Sequence, residues 1–137
     1  MSSPLIDRLH EEFGYPEISL DSLDGFVNSP GEGLLFFAGD PKKYRETNDV
    51  AVILPELIQA FQGRLRPAVV ARSAELKLQM HYGFKAWPAL VLVRDGGYLG
   101  CITGVQNWED YLQEISKLLV AEPTKPPGFK LPVVSAK

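Results

Sequence analysis

Apolar positions along the chain switch between helical and strand-like spacing, and the switches mark out the elements. Leu5, Ile6, Leu9 and Phe13 fall three or four residues apart before Gly14-Tyr15-Pro16, which predicts a short amphipathic helix. One or two further helical turns are expected after Asp21, over Ser22 to Val27, ending in the turn-rich Asn28-Ser29-Pro30-Gly31-Glu32-Gly33. The unbroken run Leu34-Leu35-Phe36-Phe37-Ala38 reads as a strand buried on both faces, followed by a polar loop from Gly39 to Glu46. From Thr47 the spacing becomes helical again: Val50, Ile53, Leu54, Leu57, Ile58 and Phe61 form one stripe closed by Gly63, with Thr47 or Asn48 as cap. Pro55 lies inside this helix. Because the stripe stays in phase across it, a kink is predicted rather than two helices.

Ala68 to Ala71 is the next short strand, and Ala74 to Tyr82 a modest helix with Leu76, Leu78 and Met80 as its apolar residues, ended by Gly83. Ala89 to Val93 and Tyr98 to Thr103 flank Arg94-Asp95-Gly96-Gly97, a strong hairpin signal, since Asp-Gly accepts the positive φ values of a tight turn. Asn107 is placed to cap a last helix that carries Glu109 and Asp110 in its first turn. Its apolar face is predicted to be Trp108, Tyr111, Leu112, Ile115, Leu118 and Leu119, with Lys117 near its C-terminal end. The order predicts an α/β fold: one central mixed β-sheet flanked by helices on both faces. Residues 1–32 are expected to form an acidic N-terminal helical extension of the same domain, 33–121 its core, and 122–137 a flexible Pro/Lys-rich tail.

Composition narrows the function classes. With 137 residues, 45% of them hydrophobic, the chain can bury one sizeable core. Seven acids face Arg8 alone within residues 1–32, a net −6, which leaves +3 on the rest. An acidic leader on a mildly basic body suits a solvated edge or a cationic partner and gives no reason to expect nucleic acid. The N-terminus lacks a continuous apolar core behind a basic start, and no later run approaches a membrane span, so a cytoplasmic protein without membrane insertion is expected. Cys101 is the only cysteine, which excludes an intramolecular disulfide. His10 and His81 are isolated from other ligating residues, no serine sits in a G-x-S-x-G pattern, and the glycines form no phosphate cradle. No metal and no cofactor are therefore expected. Lys42, Lys43 and Arg45 read as a solvated cluster.

The stretch Tyr82-Gly83-Phe84-Lys85-Ala86-Trp87-Pro88-Ala89-Leu90-Val91-Leu92-Val93 resembles the second half of thioredoxin, and the helical Pro55, the Asp95-Gly96 turn and Gly104 add to the likeness, which spans roughly Gly33 to Val120. The resemblance implies a thioredoxin-like fold with a cis Pro88. The departures are as informative. Thioredoxins place Cys-x-x-Cys at the start of the kinked helix, and those positions here are Thr47, Asn48, Asp49 and Val50, with Thr47 and Val50 in place of the thiols. The buried Asp that assists proton transfer in thioredoxins is replaced by Leu35.

Within that superfamily the chain resembles the HyaE/HupG group of accessory proteins for nickel-iron uptake hydrogenases. The acidic first helix, Leu34 to Pro41 with the Lys42-Lys43 pair, the Ala86-Trp87-Pro88-Ala89-Leu90 block and the Pro-rich end carry the likeness. It implies a non-enzymatic, chaperone-like role in which the hydrogenase small-subunit precursor is bound through its twin-arginine signal peptide, with other maturation proteins as further partners. A peptide would lie beside Ala86, Trp87 and Pro88, facing Asp40, Glu46, Thr47 and Asp49 on the opposing loop and helix start. Trp87 is either an aromatic wall of that groove or a core residue. The acids either pair with guanidinium groups or serve only the helix and loop. Two rivals remain open: a monothiol redox protein acting through Cys101, and a scaffold that docks other maturation factors through its ends.

Overall fold

The structure, a computed structural model, describes residues 3–128. The chain runs α1 (Pro4–Glu11), β1 (Glu17–Ile18), α2 (Leu23–Val27), β2 (Glu32–Phe37), α3 (Glu46–Ala60), β3 (Leu65–Val70), α4 (Arg72–Tyr82), β4 (Ala89–Arg94), β5 (Gly97–Thr103) and α5 (Trp108–Leu119). The five strands form one sheet in the order β1-β3-β2-β4-β5, with β1, β3 and β2 parallel and β4 and β5 antiparallel to their neighbours.

Alternation along the central strands divides the core in two. Leu34 and Phe36 of β2, Val69 of β3 and Leu90 and Leu92 of β4 face α1, α3 and α5, meeting Ile6, Leu9, Val50, Leu54, Leu57, Tyr111 and Ile115. Leu35, Phe37, Ala68, Val70, Val91 and Val93 face α2 and α4, meeting Leu23, Val27, Ala74, Leu78 and Tyr82. Both faces of β2 and β4 are therefore dry, which is why these strands read as unbroken apolar runs.

Local signals set most boundaries. Ser3 caps α1, its Oγ accepting from the Ile6 N–H (3.1 Å), with Pro4 at the first helical position. Asp95 (φ 48°) and Gly96 (φ 88°) make the β4–β5 turn. The helix containing Pro55 is continuous from Glu46 to Ala60. Its N-terminus corrects the expected capping: Arg45 holds the cap position without a side-chain bond, and Thr47 and Asn48 lie inside the helix. Asn107 does occupy the cap position of α5, but its amide bonds Asp110 Oδ2 (3.4 Å) instead of a helix N–H.

Two apolar faces also differ from expectation. In α4 the sheet-facing residues are Ala74, Leu78 and Tyr82, together with Glu75, whereas Leu76 and Met80 are 71% and 54% exposed. Trp108 is exposed at the start of α5, whose buried face is Tyr111, Ile115 and Leu119. Beyond α5, residues 122–128 run extended, and Thr124 makes an antiparallel bridge with Tyr98 through reciprocal bonds of 2.9 and 2.8 Å. The remainder of the expected tail, residues 129–137, lies outside the described residues.

Candidate functional site

At the C-terminal end of β2 the chain leaves the sheet through Ala38 and Gly39 and crosses the surface as a loop to α3. Directly opposite, β4 begins at Ala89, the register partner of Phe37. The Trp87–Pro88 peptide bond just before it is cis, and Pro88 is buried, its carbonyl accepting from the Gly104 N–H (2.8 Å). The start of β4 and the loop entering α3 thus form two sides of one cleft.

Trp87 bridges core and surface. Its ring packs edge-on against Phe84 (5.2 Å between centroids) and Phe37 (6.3 Å), and stacks on Tyr44 at 5.9 Å with 26° between the planes. It is half-buried, packed on Phe84 and Phe37 toward the core and on Tyr44 toward the loop. The Tyr44–Trp87 pair separates two depressions. One, of about 290 Å³, is bordered by Gly39, Asp40, Lys43, Arg72, Glu75 and Leu76. The other, of about 270 Å³, is bordered by Lys43, Arg45 and Glu46. Gly39 has φ +74°, and a Cβ there would fall 2.9 Å from Tyr44 Cδ2 and 3.1 Å from Trp87 Cε3, so the close approach requires glycine.

The loop is ordered by Asp40. Its Oδ1 accepts from the Lys42 N–H (2.9 Å) and its carbonyl from the Lys43 and Tyr44 N–H groups (3.0 and 2.8 Å). Lys43 Nζ lies 5.4 Å from the Tyr44 ring centroid. The rim is of mixed sign: Asp40 and Glu46 each border one depression, and Lys43, Arg45 and Arg72 stand beside them.

Not every expected residue joins this cleft. Thr47 does not face a guest: it is fully buried, and its hydroxyl donates to the Ala38 carbonyl (2.5 Å), tying the first turn of α3 to the end of β2. One helical turn further, Val50 is buried in the same face. Asp49 is exposed in the first turn of α3 and borders neither depression. Ala86 is exposed beside Trp87.

Glu75, on α4, is the residue that sequence reasoning missed. Its side chain is 4% exposed and accepts from the Gly39 N–H (2.9 Å) and from Arg72 Nη1 (3.0 Å). Burial raises its pKa above the usual carboxylate value, outweighing the Gly39 and Arg72 contacts that lower it. The carboxylate also borders a deeper pocket of about 220 Å³ shared with Ile6, Asp7, His10, Glu17 and Val70. Its sequence signal is phase: an Ala74, Leu78, Tyr82 stripe carries Glu75 inward, whereas a Leu76, Met80 stripe carries it outward.

The single thiol lies in the sheet, away from this cleft. Cys101 sits within β5, half-buried, and burial pushes its pKa up to about 12, so the unreactive thiol form prevails at neutral pH. His10 Nδ1 is 2.7 Å from the Tyr15 carbonyl, and no cluster of three or more His, Cys, Asp or Glu suited to a metal ion occurs among the described residues.

A mixed sheet in the order β1-β3-β2-β4-β5, a proline-containing helix after β2 and a cis proline facing its start define a thioredoxin-like protein, whose single cysteine, Cys101, lies in β5. Residues 5–111 match the family described as hydrogenase-1 expression protein HyaE. The chain belongs to that family. It is 45% identical to the hydrogenase expression/formation protein HoxO of Azotobacter vinelandii over 98% of this chain and 89% of that one. Against HoxO of Cupriavidus necator the identity is 37%, over 97% and 84%. The crystal structure of a HupG hydrogenase expression/formation protein from Rhodopseudomonas palustris matches with a TM-score of 0.55 and 39% identity, covering 76% of this chain and 94% of that one. No helix among the described residues is long and apolar enough to cross a membrane.

Proposed function

We propose that this protein is a non-catalytic chaperone in hydrogenase maturation that binds the small-subunit precursor in the cytoplasm through its twin-arginine signal peptide. The observation that carries the reading is the stacked Tyr44–Trp87 pair, flanked by two depressions, one bordered by Asp40 and the buried Glu75 and the other by Glu46. A twin-arginine signal presents two guanidinium groups followed by an apolar stretch. The aromatic pair and exposed Leu76 offer it apolar surface, and the carboxylates of Asp40 and Glu46 offer charge-assisted hydrogen bonds. Membership of a family of hydrogenase expression proteins supports the choice of partner. Loss of both thiols at the start of α3 supports binding over electron exchange.

The test is titration of the full chain with a synthetic twin-arginine signal peptide, read by Trp fluorescence and calorimetry. Trp87→Ala is expected to weaken binding tenfold or more, as truncation of a central aromatic anchor commonly costs about 2 kcal/mol. The Asp40→Asn, Glu46→Gln double variant is expected to weaken it about fivefold. Equal co-purification of precursors with and without the twin-arginine segment would overturn the reading.

A further inference from the structure

We propose that the outer edge of β5 is a second docking site, one that takes an extended cationic segment of a partner protein with lysine or arginine at alternate positions. β5 is the last strand of the sheet. The Gly104 N–H bonds the Pro88 carbonyl, and Ala89 pairs with Thr103 and Leu90 with Ile102. Antiparallel parity therefore turns the backbone groups of Ile102 and Gly100 toward β4, and those of Cys101 and Thr103 outward. The Thr103 carbonyl is taken by Gln106 Nε2 (2.8 Å). Among the described residues, what remains along the edge is the N–H and C=O of Cys101 and the N–H of Thr103.

This edge already accepts one added bridge from an extended segment. Thr124 pairs with Tyr98 at its beginning through two backbone bonds, and among the described residues the segment after α5 pairs with no residue of β5 beyond Tyr98. Beside the open stretch lies a depression of about 310 Å³ between β5 and α5, bordered by Cys101, Thr103, Gln106, Asp110, Gln113 and Glu114. Among the described residues it holds two carboxylates and two amides and no cation, so it disfavours an acidic strand and attracts a basic one. Asp110 and Glu114 are one helical turn apart, with Cβ atoms about 5–6 Å from each other. Alternate residues of a strand repeat at about 6.7 Å. Side chains at i and i+2 of a guest can thus reach one carboxylate each, whereas adjacent residues point to opposite sides.

The surface adjoins the cleft described above, since a Cβ at Gly104 would lie 3.8 Å from Glu46 Oε1, but its recognition rule and its readout differ. The probe is the peptide Ac-Thr-Lys-Val-Lys-Val-Lys-Thr-amide, added to the full chain while amide exchange is followed by NMR. Saturating peptide should slow exchange at Cys101 and Thr103 about tenfold or more and leave Trp87 fluorescence unchanged. An isomer with three contiguous lysines, and the Asp110→Asn, Glu114→Gln double variant, should each bind about tenfold more weakly. Backbone N-methylation of the peptide, which keeps its charge and leaves the protein untouched, should abolish the protection. Equal affinity for the two isomers, or for the methylated peptide, would overturn strand addition. So would peptide binding that moves Trp87 without protecting Cys101 and Thr103. Concentration-dependent protection of these amides without peptide would assign the edge to a second copy of this chain and overturn the cationic partner.

Discussion

Thr47→Val exchanges one buried hydroxyl for a methyl of nearly the same size, and it asks what the side chain at the start of α3 does. In the wild type the Thr47 hydroxyl is 0% exposed and donates to the carbonyl of Ala38, itself 3% exposed. The variant loses that bond and strands the acceptor in a dry site. A net hydrogen bond contributes roughly 1 kcal/mol, and an unsatisfied buried carbonyl costs about 1–3 kcal/mol, so a destabilisation of about 2 kcal/mol is expected. For a domain of this size that corresponds to a fall in Tm of roughly 6–12 °C. Urea unfolding and thermal melts measure it directly. Because the hydroxyl points into the fold, affinity for a peptide in the cleft, measured where the variant is folded, should stay within about twofold, well below 1 kcal/mol. A variant with unchanged stability and peptide binding weakened tenfold would show that Thr47 faces the guest after all.

Glu75→Gln tests the carboxylate under the cleft. Its folded pKa is raised by burial, so the folded state holds the proton more tightly than the unfolded chain does. The stability of wild type relative to the variant should therefore be highest below the ordinary carboxylate pKa, fall as pH rises through the raised folded value, and level off above it. Urea unfolding from pH 3.5 to 8 reads this, and a flat or rising difference would refute the assignment. Cys101, with its pKa near 12, should be alkylated by iodoacetamide at pH 8 roughly a thousandfold more slowly in the folded chain than in urea. Rapid modification of the folded chain, or disulfide reduction abolished by Cys101→Ser, would favour the redox alternative.

Much of this architecture is legible in the residue pattern. Where both neighbours of a strand are apolar layers, as for Leu34 to Phe37 and Ala89 to Val93, the run of hydrophobic residues announces it. A tight turn that needs positive φ at two positions announces itself as Asp95-Gly96. The cleft was anticipated only through the thioredoxin resemblance of the Trp87-Pro88 block and the Pro55 helix. By contrast, β1 is two residues long, Glu17 and Ile18, and two residues carry no periodicity; they are a strand only because Val69 and Val70 of β3 lie alongside.

What the sequence by itself determined, then, is the succession of the longer elements and the absence of a thiol pair, because these are read directly from residues along the chain. Which way marginal elements face was decided only in three dimensions. α4 offers two apolar stripes of similar strength, and the packing of the helix onto β2, β3 and β4 chose Ala74, Leu78 and Tyr82, turned Leu76 and Met80 outward and drew Glu75 beneath Gly39. The inward turn of Thr47 was settled in the same way, by the unpaired carbonyl at the end of β2 that its hydroxyl satisfies. In both cases the deciding partner comes from a distant part of the chain, and local spacing carries no record of it.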